Sequence, residues 1–128
     1  MKITKDIIAN NKITKVNIGN KQTDKETPPS GSIELDIENQ AEFLEHINKI
    51  LEENNSNIII DMKNISYIDS SGLWAIFESH KKATQKKRTL ILLKPEKDVQ
   101  RVLNITKIST KIKTFENEEI AIKFLLEQ

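Results

Sequence analysis

Three consecutive isoleucines, Ile58-Ile59-Ile60, limit the fold of this chain more than any other feature of its 128 residues. Branched side chains suit a pleated surface, and an unbroken run sends apolar groups to both sides of it. The segment therefore predicts a strand in the middle of a sheet that is covered on both faces. The sequence on either side supplies covers. Ala41, Phe43, Leu44, Ile47, Ile50 and Leu51 recur at the three- and four-residue steps of an amphipathic helix, with Asn39 as its expected cap and Asn54-Asn55-Ser56-Asn57 as its end. Leu73, Ile76, Phe77, His80 and Ala83 keep the same spacing after the run, down to a basic stretch, Lys86-Lys87-Arg88, where cations suit the negative end of the helix dipole.

The remaining elements follow from turn residues and periodicity. Residues 3–9 and 12–18 are rich in β-branched residues and flank Asn10-Asn11, a pair able to take the positive φ of a tight hairpin. Residues 33–37 and 65–68 read as short strands, residues 89–93 and 111–115 as further strands, and Pro95 opens a helix through Val99, Val102 and Leu103. Residues 120–126 form a last helix. Strands separated by single helices imply an α/β fold, a mixed and partly parallel sheet with helices packed against it. Between Asn20 and Ser32 the chain is polar and contains Pro28-Pro29-Ser30-Gly31, which predicts a mobile loop inserted in a single domain spanning 1–128.

Composition excludes several kinds of chemistry. With 20 basic and 19 acidic residues the net charge is +1, so no broad field draws in nucleic acid or an anionic membrane. The chain has no cysteine, hence no disulfide, thiolate or cysteine-ligated zinc. No segment approaches the roughly 20 apolar residues of a membrane helix, and the expected location is the cytoplasm. His46 and His80 lie in different predicted helices without metal-ligand spacing, and no pair of acids stands out as acid and base. Three scattered glycines cannot form a phosphate-cradling loop. The sequence predicts a non-enzymatic chain without catalytic residues, metal or cofactor.

One junction retains chemical interest: Tyr67-Ile68-Asp69-Ser70-Ser71-Gly72-Leu73, where a strand runs into a helix. Small hydroxyl side chains stand at the positive end of that helix, beside backbone N–H groups without intrahelical partners. By itself this reads first as a capping motif in which Ser70 or Ser71 accepts one of those N–H groups.

In its setting the junction says more. The order Ile58-Ile59-Ile60-Asp61-Met62, Ile68-Asp69-Ser70-Ser71-Gly72-Leu73, the strand at 90–93, the helix from Val99 to Thr106 and the ending Phe115 to Ala121 resembles the STAS domain family, in particular its anti-sigma factor antagonist type. The resemblance implies a partner-switching regulator of transcription in bacteria. Its first serine, here Ser70, would be phosphorylated by an anti-sigma factor with GHKL-type serine kinase activity and dephosphorylated by a PP2C-type phosphatase. It places Asp36, Asp69, Ser70, Ser71, Gly72, Leu73 and Trp74 on the partner-binding surface. The alternative it leaves open is a subunit of a larger lipid-transport or stress-sensing assembly without regulatory phosphorylation. The chain departs from the family pattern in four places: the insert between Gly19 and Leu35-Asp36, Trp74 for a small residue, Lys86-Lys87-Arg88 in a turn that is often glycine-rich, and Lys107 where glycine commonly follows Thr106.

Overall fold

The isoleucine run occupies the centre of the molecule. The structure is a computed structural model that describes residues 2–19 and 33–128, so the insert expected to be a mobile loop, 20–32, lies outside the described residues. In chain order the elements are β1 (Ile3–Ile8), β2 (Ile13–Ile18), β3 (Ile33–Leu35), α1 (Gln40–Glu53), β4 (Asn57–Asp61), β5 (Ile65–Ile68) and α2 (Ser70–Gln85). They continue with β6 (Leu90–Leu93), α3 (Lys97–Ile105), a 3₁₀ turn at Ile108–Thr110, β7 (Thr114–Phe115) and α4 (Glu118–Leu126).

Strand β4 is the third of five in a sheet ordered β1-β2-β4-β6-β7. Only the β1–β2 hairpin is antiparallel; β2–β4, β4–β6 and β6–β7 are parallel. The pleat explains the run. Ile58 and Ile60 join Val16, Ile18, Leu90 and Leu92 in the larger core, against Phe43 and Ile47 of α1, Ile76 of α2 and Leu103 of α3. Ile59 points the other way, with Ile13, Ile91 and Leu93, onto Ala121 and Leu125 of α4. Both sides of the isoleucine run are covered, as its sequence requires. The hairpin also forms as expected, with Ala9 as well as Asn10 and Asn11 at positive φ (53°, 56° and 69°).

Several boundaries differ from the sequence reading. Residues 33–37 do not form one strand: β3 stops at Leu35 and pairs in parallel with β5 in a separate two-stranded sheet, while residues 36–39 turn into α1. The last strand is two residues long, not five, because residues 108–110 coil into the 3₁₀ turn first. Pro95 precedes α3 rather than opening it, and Glu96 is the capping residue.

Arg88 is the largest correction. It is no helix-end surface cation but a buried side chain, 7% exposed. Its Nε donates to the Ser56 carbonyl (2.7 Å), Nη1 to the Leu51 carbonyl (2.9 Å), and Nη2 to the Ile50 carbonyl (3.4 Å) and Asn54 Oδ1 (3.2 Å). The last carbonyls of a helix run short of intrahelical donors; Ile50 still accepts the Asn54 N–H (3.3 Å), and one planar guanidinium serves Leu51 and Ser56 and adds a second donor to Ile50. Ser56 bonds in turn to Thr14 on β2 (2.6 Å), so this network ties α1, β2 and β4 to the start of β6. Lys87 and Lys107, at two of the four departures, have φ of 61° and 64°; the backbone keeps a left-handed, glycine-like turn although lysine occupies it.

Candidate functional site

Asp69 alone separates β5 from α2. Its backbone is extended (φ −100°, ψ −176°), as an N-cap residue requires, and its Oδ1 accepts the Gly72 N–H at 2.9 Å. The reading in which Ser70 or Ser71 caps the helix is thereby corrected. The carboxylate one residue earlier takes that role and places Ser70 as the first residue of the helix. Ser70 is exposed and Ser71 is half-buried.

The same carboxylate reaches across to a second element. Asp69 Oδ2 accepts the N–H of Ile37 at 3.2 Å, and the Asp69 N–H donates to the Leu35 carbonyl, also at 3.2 Å. The end of β3 and the start of α2 are therefore locked together by one residue. Gly72 lets them come this close. It is buried, and a methyl group added there would overlap the Leu35 carbonyl oxygen and lie 2.9 Å from the Leu35 carbonyl carbon and 2.8 Å from Ile68 Cγ1. Leu73, half-buried, packs on the larger core. Of the seven positions expected at the partner surface, Gly72 and Leu73 thus face inward.

Asp36 shapes the neighbouring turn. Its Oδ1 accepts the Glu38 N–H (3.0 Å), and its carbonyl accepts the N–H groups of Asn39 (3.2 Å) and Gln40 (2.9 Å). Asn39 stands at the N-cap of α1, but its side chain makes no capping bond. It turns back instead, accepting from Asp36 N–H (2.9 Å) and donating to the Glu34 carbonyl (2.6 Å). These bonds hold a tight loop whose apex is Ile37, 70% exposed.

Three large apolar side chains are exposed on the elements that meet at this junction. Trp74 is 52% exposed one turn along α2, Tyr67 is 53% exposed on β5, and Ile37 stands on the loop bonded to Asp69. Tyr67 lies opposite Glu34, itself exposed. The sequence pointed to Trp74 but missed Ile37 and Tyr67. Ile37 was read as part of a strand, and the signal that would have found it is the Asp36-x-x-Asn39 spacing, which favours a side-chain-stabilised turn.

Farther along α2, His80 is half-buried, with its ring centroid 6.2 Å from that of Phe77, and burial holds its pKa below the usual histidine value of 6.5. Among the described residues no group of three or more histidine and acidic side chains is placed to hold a metal ion. No helix among them is long and apolar enough to cross a membrane.

Comparison with known proteins places the fold. The family model of the STAS domain matches residues 31–121. No curated protein matches the chain. Among solved structures, a Thermotoga maritima protein, TM1081, superposes with a TM-score of 0.76 at 20% identity, covering 96% of this chain and 93% of that one. The anti-sigma factor antagonist SpoIIAA in its unphosphorylated form gives 0.74 at 16% identity, over 99% and 98% of the two chains. SpoIIAA, a Bacillus cell fate determinant, also matches in its phosphorylated form, at 0.65 and 17% identity over 95% and 97%. The murine anion transporter Slc26a9 gives 0.71 at 14% identity, over 91% of this chain but 18% of that one. At these identities the likeness is one of fold.

Proposed function

This chain belongs to the STAS domain family, and we propose that it is an anti-sigma factor antagonist that works by phosphorylation-controlled partner switching at Ser70. The observation that carries the reading is the setting of that serine: an exposed hydroxyl on the first residue of a capped helix, beside exposed Ile37, Tyr67 and Trp74. Tryptophan and tyrosine are enriched among the residues that dominate binding.

The unphosphorylated face binds an anti-sigma factor that carries a GHKL-type serine kinase. That kinase transfers the γ-phosphoryl group of ATP to Ser70 Oγ; the hydroxyl proton passes to a kinase base and ADP leaves. A PP2C-type phosphatase returns the serine by hydrolysis. The chain needs no cofactor, metal or catalytic residue of its own, makes no direct contact with nucleic acid and acts in the cytoplasm. Phosphate adds about −1.5 to −2 charge units at the positive end of α2, which the helix tolerates. The partner must desolvate that charge, and burying it without compensation costs several kcal/mol, enough to lower affinity by orders of magnitude.

Binding of the anti-sigma kinase to Ser70→Ala, Ser70→Glu and Trp74→Ala tests the proposal. Ser70→Ala binds and escapes phosphorylation, Ser70→Glu binds weakly, and Trp74→Ala loses affinity with little loss of stability. Phosphorylation of Ser70→Ala at the neighbouring serine would refute the site. The likeness to a transporter chain favours a second reading, a subunit of a larger assembly, and recovery of transporter subunits instead of a kinase in a pull-down would select it.

A further inference from the structure

Building on partner switching at Ser70, we infer that Asp69 couples the phosphorylation state of Ser70 to the loop that carries Ile37, so that this loop is a second, switchable part of the docking surface. The inference starts from a carboxylate that does two tasks. One oxygen caps α2 through Gly72, and the other holds the Ile37 N–H at 3.2 Å. Ser70 is the next residue. A phosphate on its Oγ brings two negative charges beside the Asp69 carboxylate, within the distance at which like charges repel strongly. The phosphate also offers three oxygens to the N–H groups at the start of α2 and competes with Asp69 for them.

The repulsion turns Asp69 away from Ser70, and the Ile37 bond is the longer and more exposed of its two side-chain contacts. Ile37 is the residue whose position then changes. It buries little within its own chain, at 70% exposure, yet its loop is fixed by five further hydrogen bonds, from Asp36, Glu38, Asn39 and Gln40. An apolar side chain carried into solvent on a fixed backbone turn fits an apolar pocket on a protein partner, because the backbone's ordering cost is met before binding. Release of its N–H loosens that anchor at the moment Ser70 acquires charge. The partner recognised is thus a protein surface with one cleft for the Ser70 end of α2 and an apolar pocket for Ile37.

The test needs no partner. Amide hydrogen exchange and the chemical shift of the Ile37 N–H are followed by NMR in the full chain, in the chain carrying phosphoserine at position 70 by synthetic incorporation, and in Asp69→Asn. Asp69→Asn can still cap Gly72 through its carbonyl oxygen but turns an amide donor toward Ile37. Both changes accelerate exchange at Ile37 about tenfold or more, the factor expected for loss of a bond to a charged acceptor. Unchanged exchange in the phosphoserine chain overturns the coupling, even where Asp69→Asn changes it. Should Asp69→Asn unfold, Asp69→Ser keeps a capping oxygen too short to serve both N–H groups and gives the same readout. Partner switching itself fails only if the kinase binds the phosphorylated and unphosphorylated chains alike, a separate measurement.

Discussion

Gly72→Ala isolates the close approach on which the site is built. In an ordinary helix interior this exchange stabilises by roughly 1 kcal/mol, because alanine has less conformational freedom to lose. At position 72 the opposite sign follows from geometry. The added carbon would lie 2.9 Å from the Leu35 carbonyl carbon and 2.8 Å from Ile68 Cγ1, against about 3.5–4.0 Å for carbon atoms at their optimum. The obstacle is backbone, so a side-chain rotation cannot remove it. The start of α2 has to retreat from β3 by roughly 0.6–1.1 Å. Overpacking of this kind costs about 1–3 kcal/mol. The same retreat stretches the Asp69 N–H to Leu35 carbonyl bond and the Ile37 N–H to Asp69 bond, already 3.2 Å each, at about 1 kcal/mol apiece. Set against the helix-propensity gain, the net loss is about 2–4 kcal/mol. Urea unfolding followed by far-UV circular dichroism should show a midpoint lowered by roughly 1 M or more with an unchanged m-value. A neutral or stabilising Gly72→Ala would refute the packing argument and leave Gly72 available as a partner contact.

Other expectations rest on separate parts of the molecule. Lys107→Gly and Lys87→Gly should each raise stability by about 0.5–1 kcal/mol, since lysine holds a left-handed backbone there; thermal melts that move down instead would contradict the assigned φ. Arg88→Met should cost about 3–5 kcal/mol by leaving the buried carbonyls of Leu51 and Ser56 without a donor, and a loss below 1 kcal/mol in the same urea assay would show that water replaces the guanidinium. The lowered pKa of His80 makes the unfolded chain bind its proton first. Stability should therefore fall as pH drops below about 6.5, and His80→Gln should flatten that part of the profile; an unchanged slope would assign it to other groups.

The centre of the fold was legible because its signal is local and redundant. Ile58-Ile59-Ile60 can satisfy its pleat only with cover on both faces, and α1 and α2 announce themselves by spacing. The exposed place of Ser70 at the start of α2 was legible from the strand-to-helix junction Asp69-Ser70-Ser71-Gly72. What escaped the sequence depends on partners distant in the chain. Arg88 reads as the end of a basic run until the carbonyls of α1, more than 30 residues earlier, are brought to it. The cap of α2 was misplaced on Ser70 or Ser71 because serine caps as readily as aspartate does, and the bonds from Gly72 and the distant Ile37 identify the Asp69 carboxylate instead. Ile37 was hidden by alternation: Ile33-Glu34-Leu35-Asp36-Ile37 continues a strand pattern past the point where Asp36 and Asn39 fold the backbone into a turn.

Mass spectrometry of the protein recovered from its native cells tests the central claim most directly. The account predicts a fraction of molecules carrying one phosphate on the peptide that spans Ser70, assigned by fragmentation to Ser70 and not Ser71. That fraction should vanish in cells lacking the anti-sigma kinase and rise in cells lacking the phosphatase. A peptide unmodified under every growth condition, or modified only at Ser71, would contradict it.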